Sequence, residues 1–262
     1  MNAHIVVRGV SKVFQEGTGP AVTALQQVDL TVARGELVCL LGPSGCGKST
    51  LLNAIAGFSL PSSGVIEVDS HPVTRPGPER GMVFQEYALF PWMTVEKNVA
   101  FGLEIQRLPA PDIRAKVTAL LDLLQLGEFR RRYPKDLSGG MRQRVAIARV
   151  LALDSPVLLM DEPFGALDAL TRRTLQDELL RIWREFGKTI VFVTHSIEES
   201  VYLADRVVVM TYRPGRIKRD VPIHLPRPRD PNSPAFNDLK RELATLVMEE
   251  QSRHLAEERA GG

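Results

Sequence analysis

Short apolar runs, separated by Gly, Pro and charged turns, alternate along this chain with stretches of helical spacing. Residues 5–7, 28–32 and 37–41 predict strands, with a turn tip at Gly17-Thr18-Gly19-Pro20. Pro61-Ser62-Ser63-Gly64 predicts a turn into the strand Val65-Ile66-Glu67-Val68, and residues 80–85 predict a buried strand ending in the polar Gln85. From residue 95 to about 133 the period lengthens to that of helices, with Val117, Leu120, Leu121 and Leu124 on one face. Strands return at 157–160 and 189–193. Between them Leu175, Leu179, Trp183 and Phe186 mark the core-facing stripe of a helix that Gly187 stops. Continuous apolar strands alternating with helices imply a mostly parallel sheet covered on both faces. The tail carries Pro226-Arg227-Pro228-Arg229, expected as a solvated connector. A helix then opens at Ser233-Pro234, with Phe236, Leu239, Leu243 and Val247 apolar.

Chemistry enters at Gly42-Pro43-Ser44-Gly45-Cys46-Gly47-Lys48-Ser49-Thr50, which follows the apolar run 37–41 and opens a helical stretch at 50–56. Strand, glycine-rich loop and helix in that order form the context a phosphate-binding loop requires. Gly42, Gly45 and Gly47 let the backbone curl so that successive N–H groups point at phosphate oxygens. Lys48 brings a positive charge to the β- and γ-phosphates, Ser49 a hydroxyl for Mg²⁺, and the helix N-terminus favours the anion. Cys46 reads as the occupant of a small, permissive position, where a thiol reagent would block the nucleotide sterically. Asp161-Glu162-Pro163 closes the strand at 157–160, at the edge where open α/β sheets place their ligands. Asp161 is the expected Mg²⁺ ligand, and Glu162 the group that polarises the water attacking the γ-phosphate. Without the phosphate loop, the same pair would be a solvated turn. Leu137-Ser138-Gly139-Gly140-Met141-Arg142-Gln143 leads into a helix running to about residue 151. By itself it is a helix cap whose small residues leave an anion-binding surface.

Composition narrows these readings. The 262 residues suffice for one large α/β domain, or one with a subdomain. At 44% hydrophobic, 24% charged and a formal charge of +2, no global field argues for nucleic acid. The two cysteines, Cys39 and Cys46, make neither a disulfide framework nor a zinc pattern. No apolar run approaches the roughly 18 residues that span a bilayer, and residues 1–10 lack a signal-peptide core. The expectation is a cytosolic chain whose membrane role comes through a partner.

With the phosphate loop, Leu137-Ser138-Gly139-Gly140 and the strand with its carboxylates in this order, the sequence resembles the ATP-binding cassette family over residues 4–225. The resemblance implies an α/β fold, a P-loop NTPase core with a mostly parallel sheet. To that core it adds an N-terminal antiparallel β-subdomain and an inserted helical subdomain at about 86–150. These lie within an ATPase domain at 1–225, followed by a short helical tail at 226–262. It also implies ATP and Mg²⁺ as cofactors, the whole segment from Gly42 to Thr50 holding the nucleotide. Ser138, Gly139 and Gly140 of a second protomer would close over the γ-phosphate, so that each ATP joins two chains. Gln85 matches the Q-loop glutamine, which touches Mg²⁺ and the attacking water and reports to the membrane partner. His195 matches the switch histidine that contacts the γ-phosphate. Ala166-Leu167-Asp168 matches the D-loop at the protomer contact. Phe14 fits the aromatic that stacks on adenine, or is a core residue.

Three classes share this machinery: the energising subunit of a transporter, a chromosome-maintenance or repair ATPase, and a soluble translation factor. Repair ATPases separate the phosphate loop from the family's Leu-Ser-Gly-Gly signature, here matched by residues 137–140, by a very long coiled coil, whereas this interval has no sustained heptads. Translation factors usually carry two cassettes. The chain carries no membrane domain of its own, which favours a separately encoded importer subunit, peripheral on the cytoplasmic face of the cell membrane. Its implied partners are a second ATPase subunit, identical or a close paralogue, integral permease subunits and, indirectly, a periplasmic or lipoprotein solute-binding protein, with no nucleic acid. The segments 75–85, Leu89-Phe90-Pro91-Trp92, 98–103, 161–168 and 225–229 resemble the nitrate/sulfonate/taurine importer group. The solute is then an anion of that type, or an aromatic or pyrimidine-like compound. A groove between the sheet domain and the helical subdomain, lined by residues 85–92 and 95–103, is expected to receive a short cytoplasmic helix of the permease, since the apolar run Ala88-Leu89-Phe90-Pro91-Trp92 would be a liability without a partner. Phe90 reads equally as subdomain core.

Overall fold

The structure, a computed structural model, describes residues 3–15 and 21–261, so the tip at Gly17-Thr18-Gly19-Pro20 lies outside the described residues. In chain order the elements begin β1 (Ala3–Phe14), β2 (Val22–Ala33), β3 (Leu37–Leu41), α1 (Lys48–Ala56), β4 (Ser63–Val68), β5 (His71–Pro72) and β6 (Arg80–Val83). They continue with α2 (Val95–Ile105), α3 (Ala110–Leu123), α4 (Gly139–Ala152), β7 (Val157–Asp161), α5 (Ala169–Phe186) and β8 (Thr189–Thr194). The last are α6 (Ile197–Leu203), β9 (Arg206–Met210), β10 (Ile217–Pro222) and α7 (Pro234–Gly261). The chain divides into two compact units, Met1–Pro76 with Thr189–Gly262, and Gly77–Lys188.

In the first unit an antiparallel sheet runs in the order β2-β1-β4-β5. β1 and β2 are each 12 residues long, well beyond the runs at 5–7 and 28–32. Register shifts between Val7 and Val10 and between Val10 and Lys12 break the two-residue alternation, which hid their length in the sequence. β3 is buried at every residue and pairs in parallel with β8 on one side and β9 on the other, while β10 joins β9 antiparallel. A strand covered on both faces needs no polar alternation, which is why it reads as a continuous apolar run.

In the second unit β6 pairs in parallel with β7, and the remaining mass is helical. Each long helix has its stop or start in the sequence. Thr94, Ser138 and Asp168 accept N–H bonds at the starts of α2, α4 and α5, and Gly187 ends α5 in the left-handed conformation. The α5 stripe is only partly core. Leu175, Leu179 and Ile182 are buried, but Phe186 is 40% exposed. Phe186 sits only about 20° around the helix from Leu175, so its exposure follows from its place as the last residue of α5 and not from the direction of the stripe.

The basic tail is not a solvated connector. Arg229 is 4% exposed, and its guanidinium donates to the carbonyls of Val201 (2.7 Å), Ala204 (2.7 Å), Leu225 (3.2 Å), Tyr202 (3.3 Å) and Ile223 (3.3 Å). The carbonyls at the end of α6 have no intrahelical donors, and Arg229 supplies them. Arg227 donates to Leu203 O and to Asp205 Oδ1 (2.7 Å). Burial, with Arg227 alongside, pulls the Arg229 guanidinium down to about 10. We expect Arg229→Leu to lower unfolding free energy by about 2–4 kcal/mol, because several buried carbonyls lose their donor. Urea denaturation checks this: a loss below about 0.5 kcal/mol, the size of an ordinary surface substitution, would refute the clamp.

Candidate functional site

The parallel register of β3 and β8 sets Leu41 beside Thr194, so Gly42 and His195 step off neighbouring strands at the same end. The chain then turns through the glycine-rich loop into α1. Gly47 caps that helix at φ +94°, where a Cβ would stand 2.7 Å from Leu25 Cδ2 and 2.9 Å from Ala24 O. Only glycine satisfies both the left-handed backbone and that approach. Gly42 is required for a different reason: a Cβ there would meet Cys46 Sγ at 2.8 Å and Met210 O at 3.1 Å. Cys46 is therefore no permissive filler. Its side chain is fully buried against Gly42, and burial raises its thiol pKa, which shields it from thiol reagents. Lys48 is buried too, with Nζ donating to the carbonyls of Gly42 (2.8 Å) and Pro43 (2.9 Å), while Ser44, Gly45 and Ser49 are exposed.

His195 is exposed just past the strand end. Its turn is fixed by the Thr194 hydroxyl, which donates to Glu199 (2.5 Å) and accepts the Ser196 N–H (3.0 Å). Phe14 is 42% exposed, with the Lys12 ammonium 5.0 Å above its ring, so it is not a core residue.

The second unit repeats the same logic. Val83 is opposite Met160 in the β6–β7 register, so Gln85 and Asp161 leave adjacent parallel strands at one edge. Glu162 has φ +43°, a left-handed backbone that costs a non-glycine residue about 1 kcal/mol. The Gly165 N–H bonds back to its carbonyl at 3.1 Å and closes the turn. Ser138 caps α4 by accepting the Met141 N–H at 3.3 Å. Gly139 packs against Leu167, and Gly140 against the first turn of α5. A Cβ on Gly139 would be 3.1 Å from Leu167 Cδ2, and one on Gly140 2.6 Å from Thr171 Cγ2. Asp168 accepts the Thr171 N–H at 3.0 Å, a bond that holds its carboxyl below the usual range.

Several residues of this unit escaped the sequence reading. Arg149 lies over the Phe90 ring at 5.4 Å and donates to Ala88 O (2.7 Å) and Tyr87 O (3.3 Å), and Arg142 lies over the Tyr87 ring at 5.5 Å. The signature helix thus holds the segment that follows Gln85. Asn98 is fully buried, accepts the Phe90 N–H (2.9 Å) and donates to the carbonyls of Phe90, Met93 and Thr94. An Asn inside an apolar helical pattern was the available signal, since a buried amide needs partners. Burial raises the Glu178 carboxyl even though Arg144 pairs with it at 3.0 Å.

Among the described residues no group of three or more His, Cys, Asp or Glu side chains is gathered to hold a metal. The Ser49 hydroxyl and the Asp161 carboxylate are hard oxygen donors of the kind Mg²⁺ prefers when most of its shell comes from phosphates and water. Also among the described residues, no helix is long and apolar enough to cross a membrane.

Residues 25–165 match the family of ABC transporter domains. An uncharacterized ABC transporter ATP-binding protein of Methanocaldococcus jannaschii is 48% identical over 97% of this chain and 95% of its own length. A taurine import ATP-binding protein of Jannaschia sp. is 51% identical over 82% of this chain and 81% of its own. An aliphatic sulfonates import ATP-binding protein of Bacillus licheniformis is 47% identical over 90% and 91%. Among solved structures, the dimeric post-hydrolysis state of an ATP-binding cassette bound to ADP and Pi aligns with a TM-score of 0.75 and 31% identity. It covers 84% of this chain and 99% of that one.

Proposed function

The chain belongs to the ABC transporter family and is an ATP-binding, ATP-hydrolysing transport subunit, and from that premise we propose that it energises import of a sulfonate- or taurine-type anion. The observation that carries the site assignment is the pair of strand registers. Leu41 beside Thr194 delivers the phosphate loop and His195 to one edge, and Val83 beside Met160 delivers Gln85 and the carboxylates to another. In this reading the backbone N–H groups of 42–50 and the start of α1 receive the phosphates, and Lys48 turns from its loop carbonyls to the β- and γ-oxygens. Phe14 stacks on the adenine. Mg²⁺ bound with the nucleotide would neutralise phosphate charge, held by Ser49 and Asp161 with Gln85 nearby. Glu162 polarises the attacking water, its turn fixing the carboxylate before substrate arrives, and His195 contacts the γ-phosphate.

Ser138, Gly139 and Gly140 complete this site from a second ATPase subunit, with Asp168 at the contact between the two. Two relatives that align with 82% and 90% of this chain are import ATP-binding proteins for taurine and aliphatic sulfonates, which supports the solute class. The chain would lie peripherally at the cytoplasmic face, bound to integral permease subunits and served indirectly by a solute-binding protein. Reconstitution with a permease and solute-binding protein of a taurine or sulfonate importer tests the solute. Taurine or an alkanesulfonate should stimulate ATP hydrolysis and be taken up. Stimulation by an aromatic or pyrimidine-like compound alone would transfer the assignment to that class.

Permease docking is assigned to the turn before α2, where Trp92 is 71% exposed and Phe90 is half-buried against Phe101 at 4.6 Å, and to α2 itself, whose last residue Ile105 is 68% exposed. Between α2 and α3 an open cleft of about 460 Å³ has an apolar floor at Ala100, Ile113 and Val117 and charged walls at Glu96, Glu104 and Arg114. A Trp exposed to 71% next to a half-buried Phe marks a binding surface. We expect Trp92→Ala to leave the isolated subunit's ATPase unchanged and to weaken permease association at least about tenfold, the usual range for a buried Trp anchor. Undiminished co-purification and solute uptake would place the docking surface elsewhere.

A further inference from the structure

The turn after β9, residues 211–216, touches the phosphate loop on one side and the C-terminal helix on the other. Gly215 is buried, and an added Cβ would stand 2.2 Å from the Cys46 carbonyl oxygen and 3.0 Å from that of Ala24. Its N–H donates to Ala24 O (2.9 Å) and its carbonyl accepts the Gln26 N–H (3.0 Å), which stitches the turn to β2. Gly47 packs against the same Ala24 and Leu25, so loop, strand and turn share one close contact. The Arg213 guanidinium reaches Gly45 O at 3.5 Å. Within the turn the Thr211 hydroxyl donates to Pro214 O (2.8 Å) and accepts the Arg216 N–H (2.9 Å), which makes it a stiff unit.

The far side of that unit is tied to α7 by one carboxylate. Glu250 is 1% exposed, accepts the Tyr212 backbone N–H at 3.1 Å and pairs with Lys218 Nζ at 2.7 Å. Lys218 also donates to Leu246 O (3.0 Å) and Glu249 (2.6 Å). Docking of α7 is already served by the buried Phe236, Leu243 and Val247. A buried carboxylate is costly to place and adds little to apolar packing, so its use as the turn's anchor calls for a second role.

We infer that Glu250 is a positioning residue for nucleotide binding: through the Tyr212–Gly215 turn it holds the phosphate loop in its receiving shape, so the C-terminal helix sets the affinity for ATP. This rests on the reading of residues 42–50 as the nucleotide site. A preorganised loop binds more tightly because less freedom is lost on binding.

The test titrates the full-length subunit with a fluorescent trinitrophenyl derivative of ATP and records Kd, the saturated ATPase rate and thermal stability. Glu250→Ala should raise Kd about fivefold with the saturated rate unchanged, a loss from loop preorganisation alone. Glu250→Gln keeps an acceptor for the Tyr212 N–H and should recover most of that affinity. Leu243→Ala loosens α7 through its apolar face without touching the turn, and should lower stability while Kd stays within about twofold. Equal Kd in Glu250→Ala and the parent, or an equal rise in Leu243→Ala, would overturn the inference and leave Glu250 as helix glue. Should Glu250→Ala fail to fold, the exposed Arg213→Gln variant decides: a raised Kd supports the relay and an unchanged one refutes it. A parent chain that does not bind the probe would instead refute the nucleotide site itself.

Discussion

Glu162→Gln should bind ATP as tightly as the parent chain and lose turnover by about 10²–10⁴-fold, the usual contribution of a positioned general base. The amide keeps the size of the carboxylate and the turn closed by Gly165, so binding and stability should be spared. Glu162 takes a left-handed backbone at the turn that directly follows β7. Steady-state phosphate release, alongside nucleotide titration, separates the two effects. Near-normal release would remove Glu162 from the base role, and parallel loss of binding and turnover would indicate misfolding.

The second large effect is complementation between two dead variants. Lys48→Ala should abolish ATP-dependent thermal stabilisation, because the buried ammonium is lost from the loop. Ser138→Arg should block the face of the signature while leaving its own phosphate loop intact. Each alone is expected to be inactive. Mixed in equal amounts, they should recover about a quarter of parental activity, since half of the randomly formed dimers carry one intact composite site out of two. No recovery in a mixture shown to form heterodimers would mean that the signature does not act across subunits.

The parts of the site that were legible in the sequence are those whose chemistry is written in consecutive residues. The phosphate loop needs glycines and a Lys at fixed spacing on a strand–helix junction, and β3 and α1 flank it as expected. The position of Asp161-Glu162 was legible because β7 carries the apolar run 157–160 and ends on Asp161. Roles at Gln85, Asp168 and His195 came from resemblance, since a lone Gln or His after a strand has no local signature. What stayed hidden depends on partners distant in the chain. Arg229 looked like part of a polar connector because nothing local reveals the α6 carbonyls it caps. Arg149 and Asn98 looked like ordinary helix residues, yet they mould the segment bearing Phe90 and Trp92. Cys46 was misjudged because the distance of closest approach to Gly42 is a property of the folded loop alone.

The central claim is that one chain holds half a site and that ATP joins two chains. Light scattering on the Glu162→Gln protein with saturating Mg²⁺-ATP tests it directly. A mass twice that of one chain is expected with ATP, and the monomer mass with ADP. A monomer at high concentration, with ATP demonstrably bound, would contradict it.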